Sequence, residues 1–464
     1  IDVDVSKNFK TGMNVYGYRS KQIETALFPA SGSGDNGLNY SIRRFTRPTV
    51  PVQLSNGEWG FLDGRGTDDN AIRNIEWISQ TGKDFTERYR VEGQVYAELQ
   101  LIEGLTFRST LGGVFNNSAR TKFIPTYEHF DINGGLVSNN NVINSLLNND
   151  NKFVRTVFNN VLKYKKSLGD HNIKVLLGQS SQLERTDFMS VTAQDFANNE
   201  LFELDAGVTN SDFSGWASEF AIQSLFGRLN YDYKGKYLFE ANVRRDGSSR
   251  FSKDNRYGVF PSFSAGWNIT EEEFVPDSKT LTYAKLRGSW GKLGNQDFNN
   301  NYPFAQTLST GQNYIINGSE VGGVAVTELV NSDLTWETSV LTNVGLDLGL
   351  FSNKVQINLD YFEKDCEDCI VRLPIPSTLG ASEAPFQNVG KISNKGWEAN
   401  ITYNNSIGEF NYSANFNVSQ VKNKIVDIDG LEDWISGNTI NMEGEPIGAY
   451  YALNSRRGYR AWNK

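Results

Sequence analysis

The stretch that decides the fold reads Leu225-Phe226-Gly227-Arg228-Leu229-Asn230-Tyr231-Asp232-Tyr233-Lys234-Gly235-Lys236-Tyr237-Leu238-Phe239-Glu240-Ala241-Asn242-Val243. Leu225, Gly227, Leu229, Tyr231 and Tyr233 alternate with Phe226, Arg228, Asn230 and Asp232, and Lys234-Gly235 then reverses the chain into Tyr237, Phe239, Ala241 and Val243. Period-two patterning around a short turn predicts a β-hairpin with one apolar and one polar face. The design recurs at 91–111 about Glu103-Gly104, at 154–177 about Gly169-Asp170, at 340–361 about Phe351-Ser352-Asn353, and at 397–418. Val259 to Ile269 and Leu286 to Trp290 read as further strands, and strands of about nine to eleven residues are expected to dominate.

The connections fall into two kinds. Turns such as 167–170 and Lys234-Gly235 are tight, whereas 112–150, 179–218, 292–335 and 363–395 read as long and polar. Several long connections argue against a compact sandwich, and the asymmetry fits an outer-membrane barrel with short turns on one side and long loops on the other. Alternation alone does not separate a sandwich from a barrel, since each has one apolar face. Tyr237, Trp267, Trp290, Tyr361 and Trp397 stand near strand ends, where amphipathic rings suit a bilayer edge, and they favour the barrel. Two short segments, Asp69 to Gln80 and Thr192 to Leu204, carry one-face apolar spacing that predicts short loop helices.

Composition agrees with an all-β chain. The 464 residues include 29 Phe, 20 Tyr, 9 Trp and 43 Gly against 11 Pro, which describes neither disorder nor a Pro-rich stalk. No apolar run approaches the roughly 18 to 20 residues of a spanning helix. Lys and Arg number 45 against 54 Asp and Glu, without a basic stripe, so nucleic acid is excluded as a partner. The chain starts at Ile1 without a secretion signal, and the expectation is that the true start lies upstream.

Catalytic and metal motifs are weak. Cys366-Glu367-Asp368-Cys369 is one Cys-x-x-Cys pair; a zinc site needs two further ligands, so a local disulfide on an exposed loop, or free thiols, is expected before redox or metal chemistry. His129 and His171 have no nucleophile or ligand cluster beside them. The glycines Gly32, Gly34 and Gly37 lack a following Lys-Ser/Thr and read as a flexible loop. Asp68, Asp69, Asp254 and Asp297 could hold loop calcium but lack a full calcium-loop spacing, and solvated carboxylates are the plainer reading. No cofactor is required, and no enzyme is expected. The long polar and aromatic loops suit sugar or peptide contacts.

One run is far more specific than these. Arg245-Asp246-Gly247-Ser248-Ser249-Arg250-Phe251, followed by Asn255 to Trp267 (NRYGVFPSFSAGW), resembles a signature of the SusC/RagA family of TonB-linked outer-membrane transporters. The similarity continues through Leu286 to Gln296 (LRGSWGKLGNQ), Leu334-Thr335-Trp336-Glu337 and Asn388 to Glu398 (NVGKISNKGWE), covering about residues 220–450.

The resemblance implies a barrel of about 22 strands filled by an amino-terminal plug. It also implies a SusD-like surface lipoprotein that closes over captured glycan or oligopeptide, and TonB acting on the plug to open a path. The whole chain, 1–464, is then read as an incomplete barrel domain with long extracellular loops, holding roughly 12 to 14 strands and lacking plug and closing strand. Such an arc exposes two edges, so the remaining barrel and plug polypeptide are expected as partners, in other chains or in a longer chain. Within the signature, Arg245, Asp246, Ser248 and Arg250 are read as knitting an external loop to the barrel, with lid docking or solute lining as the alternative. Gly247 is read as serving a tight turn. The runner-up function is a non-transporting surface adhesion protein built as a soluble β-sandwich; a secreted glycan-degrading enzyme would need paired carboxylates that spacing does not establish.

Overall fold

The computed structural model describes residues 1–24, 52–54, 57, 59, 80, 82–128, 141–276, 278–372, 375–380, 383–430, 433–452 and 460–462. Fourteen strands form one antiparallel sheet in strict sequence order. They are β1 Asp2–Ser6, β2 Phe9–Glu24, β3 Lys83–Ile102, β4 Leu105–Ile124, β5 Ser145–Leu168, β6 His171–Phe196, β7 Gly207–Tyr233, β8 Tyr237–Ser248, β9 Tyr257–Asn268, β10 Leu281–Asn295, β11 Glu337–Leu350, β12 Val355–Glu367, β13 Lys391–Ile407 and β14 Phe410–Asp427. Among the described residues β1 and β14 are its unpaired edges, so the sheet is an unclosed arc. It is a large part of an open transmembrane β-barrel. Shorter two- and four-stranded sheets lie in the long connections and after β14. A sandwich would need a second sheet of comparable size packed on the first, and the described residues contain none.

Turn chemistry sets which end is which. Lys234 and Gly235 both adopt left-handed φ, 55° and 70°, which reverses the chain within the three residues between the paired Tyr233 and Tyr237. Glu103-Gly104, Gly169-Asp170 and Gly408-Glu409 close other hairpins at the same end. The opposite end carries the described parts of the connections that follow β4, β6, β8, β10 and β12.

Strands and loops divide the chain differently from the sequence expectation. β5, β6 and β7 have 24, 26 and 27 residues, where about nine to eleven suffice to cross a tilted membrane. Much of 112–150 and 179–218 is therefore strand, not loop. Hydrophobic alternation is demanded only at membrane height; beyond it, backbone pairing continues with polar side chains on both faces, and the signal vanishes. For the same reason Thr192–Phe196 is no helix: it is the end of β6, paired with β7, and a single 3₁₀ turn at Leu204–Ala206 follows. All but the end of the helix expected at Asp69 to Gln80 lies outside the described residues.

Side chains separate cleanly by face. On β8, Tyr237, Phe239 and Val243 are 46, 41 and 50% exposed, while Glu240, Asn242, Arg244 and Asp246 line the other face. An arc whose apolar face is the exposed one is the inverse of a soluble sheet and the arrangement of a lipid-facing wall. The largest fully buried apolar side chains among the described residues gather in two small clusters at the long-loop end. Phe123, Leu146, Ala193 and Phe196 form one; Phe251, Phe260, Leu334 and Trp336 form the other.

Candidate functional site: the lumen wall and the Arg245–Phe251 turn

The lumen-facing residues are held in ion-pair ladders. Arg287 on β10 donates Nε to both carboxylate oxygens of Asp347 on β11, at 3.2 and 3.1 Å, and Nη1 and Nη2 to Asp360 on β12, at 2.7 and 2.6 Å. Asn343 donates to the same Asp360. A side chain at Gly345 would overlap the guanidinium, so glycine there lets Arg287 lie flat across β11 toward β12. Elsewhere on the wall Arg155 pairs with Glu184 at 2.6 Å, and Glu240 accepts from Asn230 and Asn242. Lys174, Asn230, Glu240, Lys285, Arg287 and Asn343 line a 730 Å³ hollow. Such a surface offers donors and acceptors to a hydrophilic solute, with Leu238 in the lining as an apolar contact.

The signature turn closes the top of this wall. Asp246, nearly buried, accepts from Arg244 Nε at 2.6 and 2.8 Å, and Arg244 also donates to Ser224 Oγ at 2.7 Å. Arg245 faces the other way, its guanidinium over the Tyr257 ring at 4.1 Å. Gly247 is not the turn: it sits in β8 opposite Gln223 and Tyr257 with ordinary φ, and its missing side chain makes room for the Tyr257 ring. Ser248, fully buried, bonds Gln296 at 2.6 Å; Ser249 exchanges hydrogen bonds with the Ala221 backbone. Arg250 donates to Asn301, to the Gln296 carbonyl and to Asp297, and stacks over Phe220. Phe251 is fully buried against Phe260, Leu334 and Trp336.

Distant motifs meet here. Trp336 Nε1 donates to the Arg256 carbonyl, Asn388 brackets Thr335 through both its amide atoms, and Glu337 accepts from Asn295 and the Ile370 backbone. Arg244, Ser224 and Asn301 belong to the same knot but lie outside the quoted motif. Arg244 and Ser224 carry only the signal of a polar residue on the inward register of β8 and β7, and Asn301, in the connection after β10, carries none.

Cys366 and Cys369 form a disulfide at the end of β12, with Cα atoms 5.9 Å apart. It is not on an exposed loop, since Cys366 is paired in β12 and Cys369 is buried. Glu337 with the two sulfurs is the one set of three ligand-type atoms close together among the described residues. The sulfurs are bonded to each other, and both Glu337 oxygens already accept hydrogen bonds. Asp297 is engaged by Arg250. Asp68, Asp69, His129, Gly32, Gly34 and Gly37 lie outside the described residues.

The expected interface aromatics fall at two heights on the outward face. Tyr237 pairs with Trp267 beside the short turns, and Glu272 accepts from both, at 2.6 and 2.9 Å. These donors, the Tyr237 hydroxyl first, hold the Glu272 carboxyl below its usual range, helped by Lys236. His171 Nδ1 lies 2.7 Å from the Tyr231 hydroxyl at the same end. Toward the long loops, Tyr361 pairs directly with Trp397, and Trp290 stacks on Phe263.

Comparison with known proteins now decides the lineage. The family described as "TonB dependent receptor-like, beta-barrel" matches residues 24–461. The chain belongs to this family. TonB-dependent receptor P3 of Formosa agariphila is 33% identical over 478 residues, covering 100% of this chain and 46% of that protein. TonB-dependent receptor SusC of Bacteroides thetaiotaomicron is 26% identical, covering 87% of this chain and 40% of that protein. The chain thus spans about half the length of the curated relatives it matches. The RagAB peptide transporter superimposes with a TM-score of 0.83 at 21% identity, covering 97% of this chain and 49% of that one, a likeness of fold. The protein is a SusC/RagA-like barrel chain of the outer membrane, in a family of receptors and not of enzymes.

Proposed function

We propose that residues 1–464 furnish barrel wall and long extracellular loops to a TonB-dependent importer of oligosaccharides or oligopeptides. The observation that carries this reading is the family match over nearly the whole chain, together with a lumen face that carries ion-pair and amide groups around the 730 Å³ hollow. A hydrophilic cargo passing such a wall exchanges water for Asn, Lys and carboxylate groups at little cost, whereas an apolar cargo would gain little. In this reading a SusD-like surface lipoprotein presents cargo from the long-loop side, and TonB acts through a plug seated in the remaining barrel. Kinship with TonB-dependent receptors, SusC among them, supports import, and the polar groups of the wall suit sugar and peptide alike. The knot around Ser248, Arg250 and Phe251 holds the loops in register for that partner, and the paired aromatics Tyr237, Trp267, Trp290, Tyr361 and Trp397 anchor the wall at the two bilayer edges.

The test uses the full-length protein in its native outer membrane. Uptake of labelled oligosaccharide and oligopeptide mixtures should fall to background when either this protein or TonB is removed, and a surface lipoprotein should co-purify with it in detergent. Uptake unchanged by its loss, or cell adhesion lost in place of uptake, would overturn the reading.

A further inference from the structure

The outward face changes character abruptly above the upper aromatic row. Along β13 it reads Tyr403, Ile401, Ala399, Trp397 and then Lys395, Ser393, Lys391; along β12 it reads Ile357, Leu359, Tyr361 and then Glu363, Asp365, Glu367. β14 follows suit with Phe416, Val418, Gln420 and then Lys422, Lys424. One two-residue step is about 7 Å of strand. The charges therefore begin where hydrocarbon gives way to headgroups, on the leaflet nearest the long loops.

Five lysines and three carboxylates share this patch, and they are not evenly matched. Lys395 pairs with Glu363 at 2.6 Å, Lys391 with Asp365 at 2.9 Å and Glu367 at 3.5 Å, and Lys292 approaches Glu367 at 3.9 Å. Lys422 and Lys424 stand exposed on β14, the edge strand of the described arc, and within that arc no hydrogen bond or ion pair joins either side chain to another described residue. Lys422 is moreover the direct cross-strand partner of Lys395. Like charges placed opposite each other on one face destabilise a sheet. An anion between them would reverse the sign of that term.

We propose that Lys422 and Lys424, with Lys395 behind them, bind the anionic phosphate headgroup of a lipid in the leaflet facing the long loops. The occupant is a lipid because the lysines follow the lipid-facing register of β14 without a break: Phe416 and Val418 below them would lie along its acyl chains. The lumen-side lysines of the 730 Å³ hollow, Lys174 and Lys285, face away from this surface. The proposal depends on the barrel's seat in the membrane and not on what is imported.

The experiment places the full-length protein in nanodiscs of phosphatidylcholine with or without phosphatidylglycerol, and native mass spectrometry counts retained lipid. Each interfacial lysine contributes roughly a fivefold preference for anionic lipid. Lys422→Gln with Lys424→Gln should therefore lose about 25-fold of the phosphatidylglycerol selectivity. Lys422→Arg with Lys424→Arg should keep it, as should the lumen-facing Lys174→Gln, and raised salt should weaken it in the wild type. Equal selectivity in the wild type and the double Gln variant overturns the proposal. So does wild-type selectivity that is insensitive to salt, a readout that stands even where the Gln variant fails to fold. If inorganic phosphate in pure phosphatidylcholine discs raises the melting temperature as much as phosphatidylglycerol does, the site takes a free anion, and lipid docking is overturned.

Discussion

Leu359 and Asp360 are neighbours on β12, yet they answer to different solvents. Leu359 is 40% exposed and pairs with Leu346 and Ala399 on the outward face; Asp360 turns inward into the grip of Arg287 and Asn343. In a water-soluble sheet the leucine would be buried and the aspartate left to water. Here lipid takes the place of a hydrophobic core. Side-chain burial is consequently scarce among the described residues, and the fully buried Phe and Leu side chains stand where the strands leave the membrane, around Phe251 and around Phe123. The wall is held by ladder hydrogen bonds and lumen ion pairs, the loop knot by packing.

That contrast can be broken at several points. The largest effect is expected at the knot: Phe251→Ala removes a fully buried ring at a cost of about 3–5 kcal/mol. Hydrogen exchange should show lost protection around 248–256, 296–301 and 334–337 while β3–β7 stay protected; uniform loss across the arc would show that knot and wall are one cooperative unit. On the lipid face, Leu359→Arg should cost about 2–4 kcal/mol in denaturant unfolding from bilayers. If it costs nothing, β12 does not face hydrocarbon.

On the lumen face Arg287→Met leaves Asp347 and Asp360 partly buried beside each other, with an expected loss of about 2–3 kcal/mol, discounted for the solvent that reaches them. Gly345→Ala should reproduce part of that loss by pushing the guanidinium off both partners, and additivity of the two substitutions would contradict the shared contact. The smallest effect concerns Glu272. Its carboxyl is held low by Tyr237 and Trp267, so its contribution is fully present above the ordinary carboxylate pKa and disappears as pH falls through the lowered value. Glu272→Gln should lower the melting temperature slightly at neutral pH, leave the acid end unchanged and so flatten the acid limb of the profile; a steeper acid limb would contradict the assignment.

Membrane-height strands were legible in the sequence because alternation is obligatory there, and 225–243 appears in the structure as the β7–β8 hairpin with Lys234-Gly235 at its turn. The outer halves of β5 to β7 were not legible, since water on both faces imposes no pattern. The segment Thr192 to Leu204 shows the hazard: its one-face apolar spacing fits a helix as well as the end of a long strand followed by a bend. Gly247 failed for a related reason, because a glycine that yields space to a ring across the strand looks in sequence like one that makes a turn.

By itself the sequence determined the hairpins from β3 onward, the outward aromatic residues and the family, because each is written in local periodicity or in contiguous motifs, whereas β1 and β2 were not read from it. Only the tertiary structure decided what the motifs are for. Residues 244–251, 296–301, 334–337 and 388 converge on one knot, and Arg287 reaches two aspartates on two other strands. Cross-strand register and the space left by Gly345 set those contacts, and no single segment of chain encodes them.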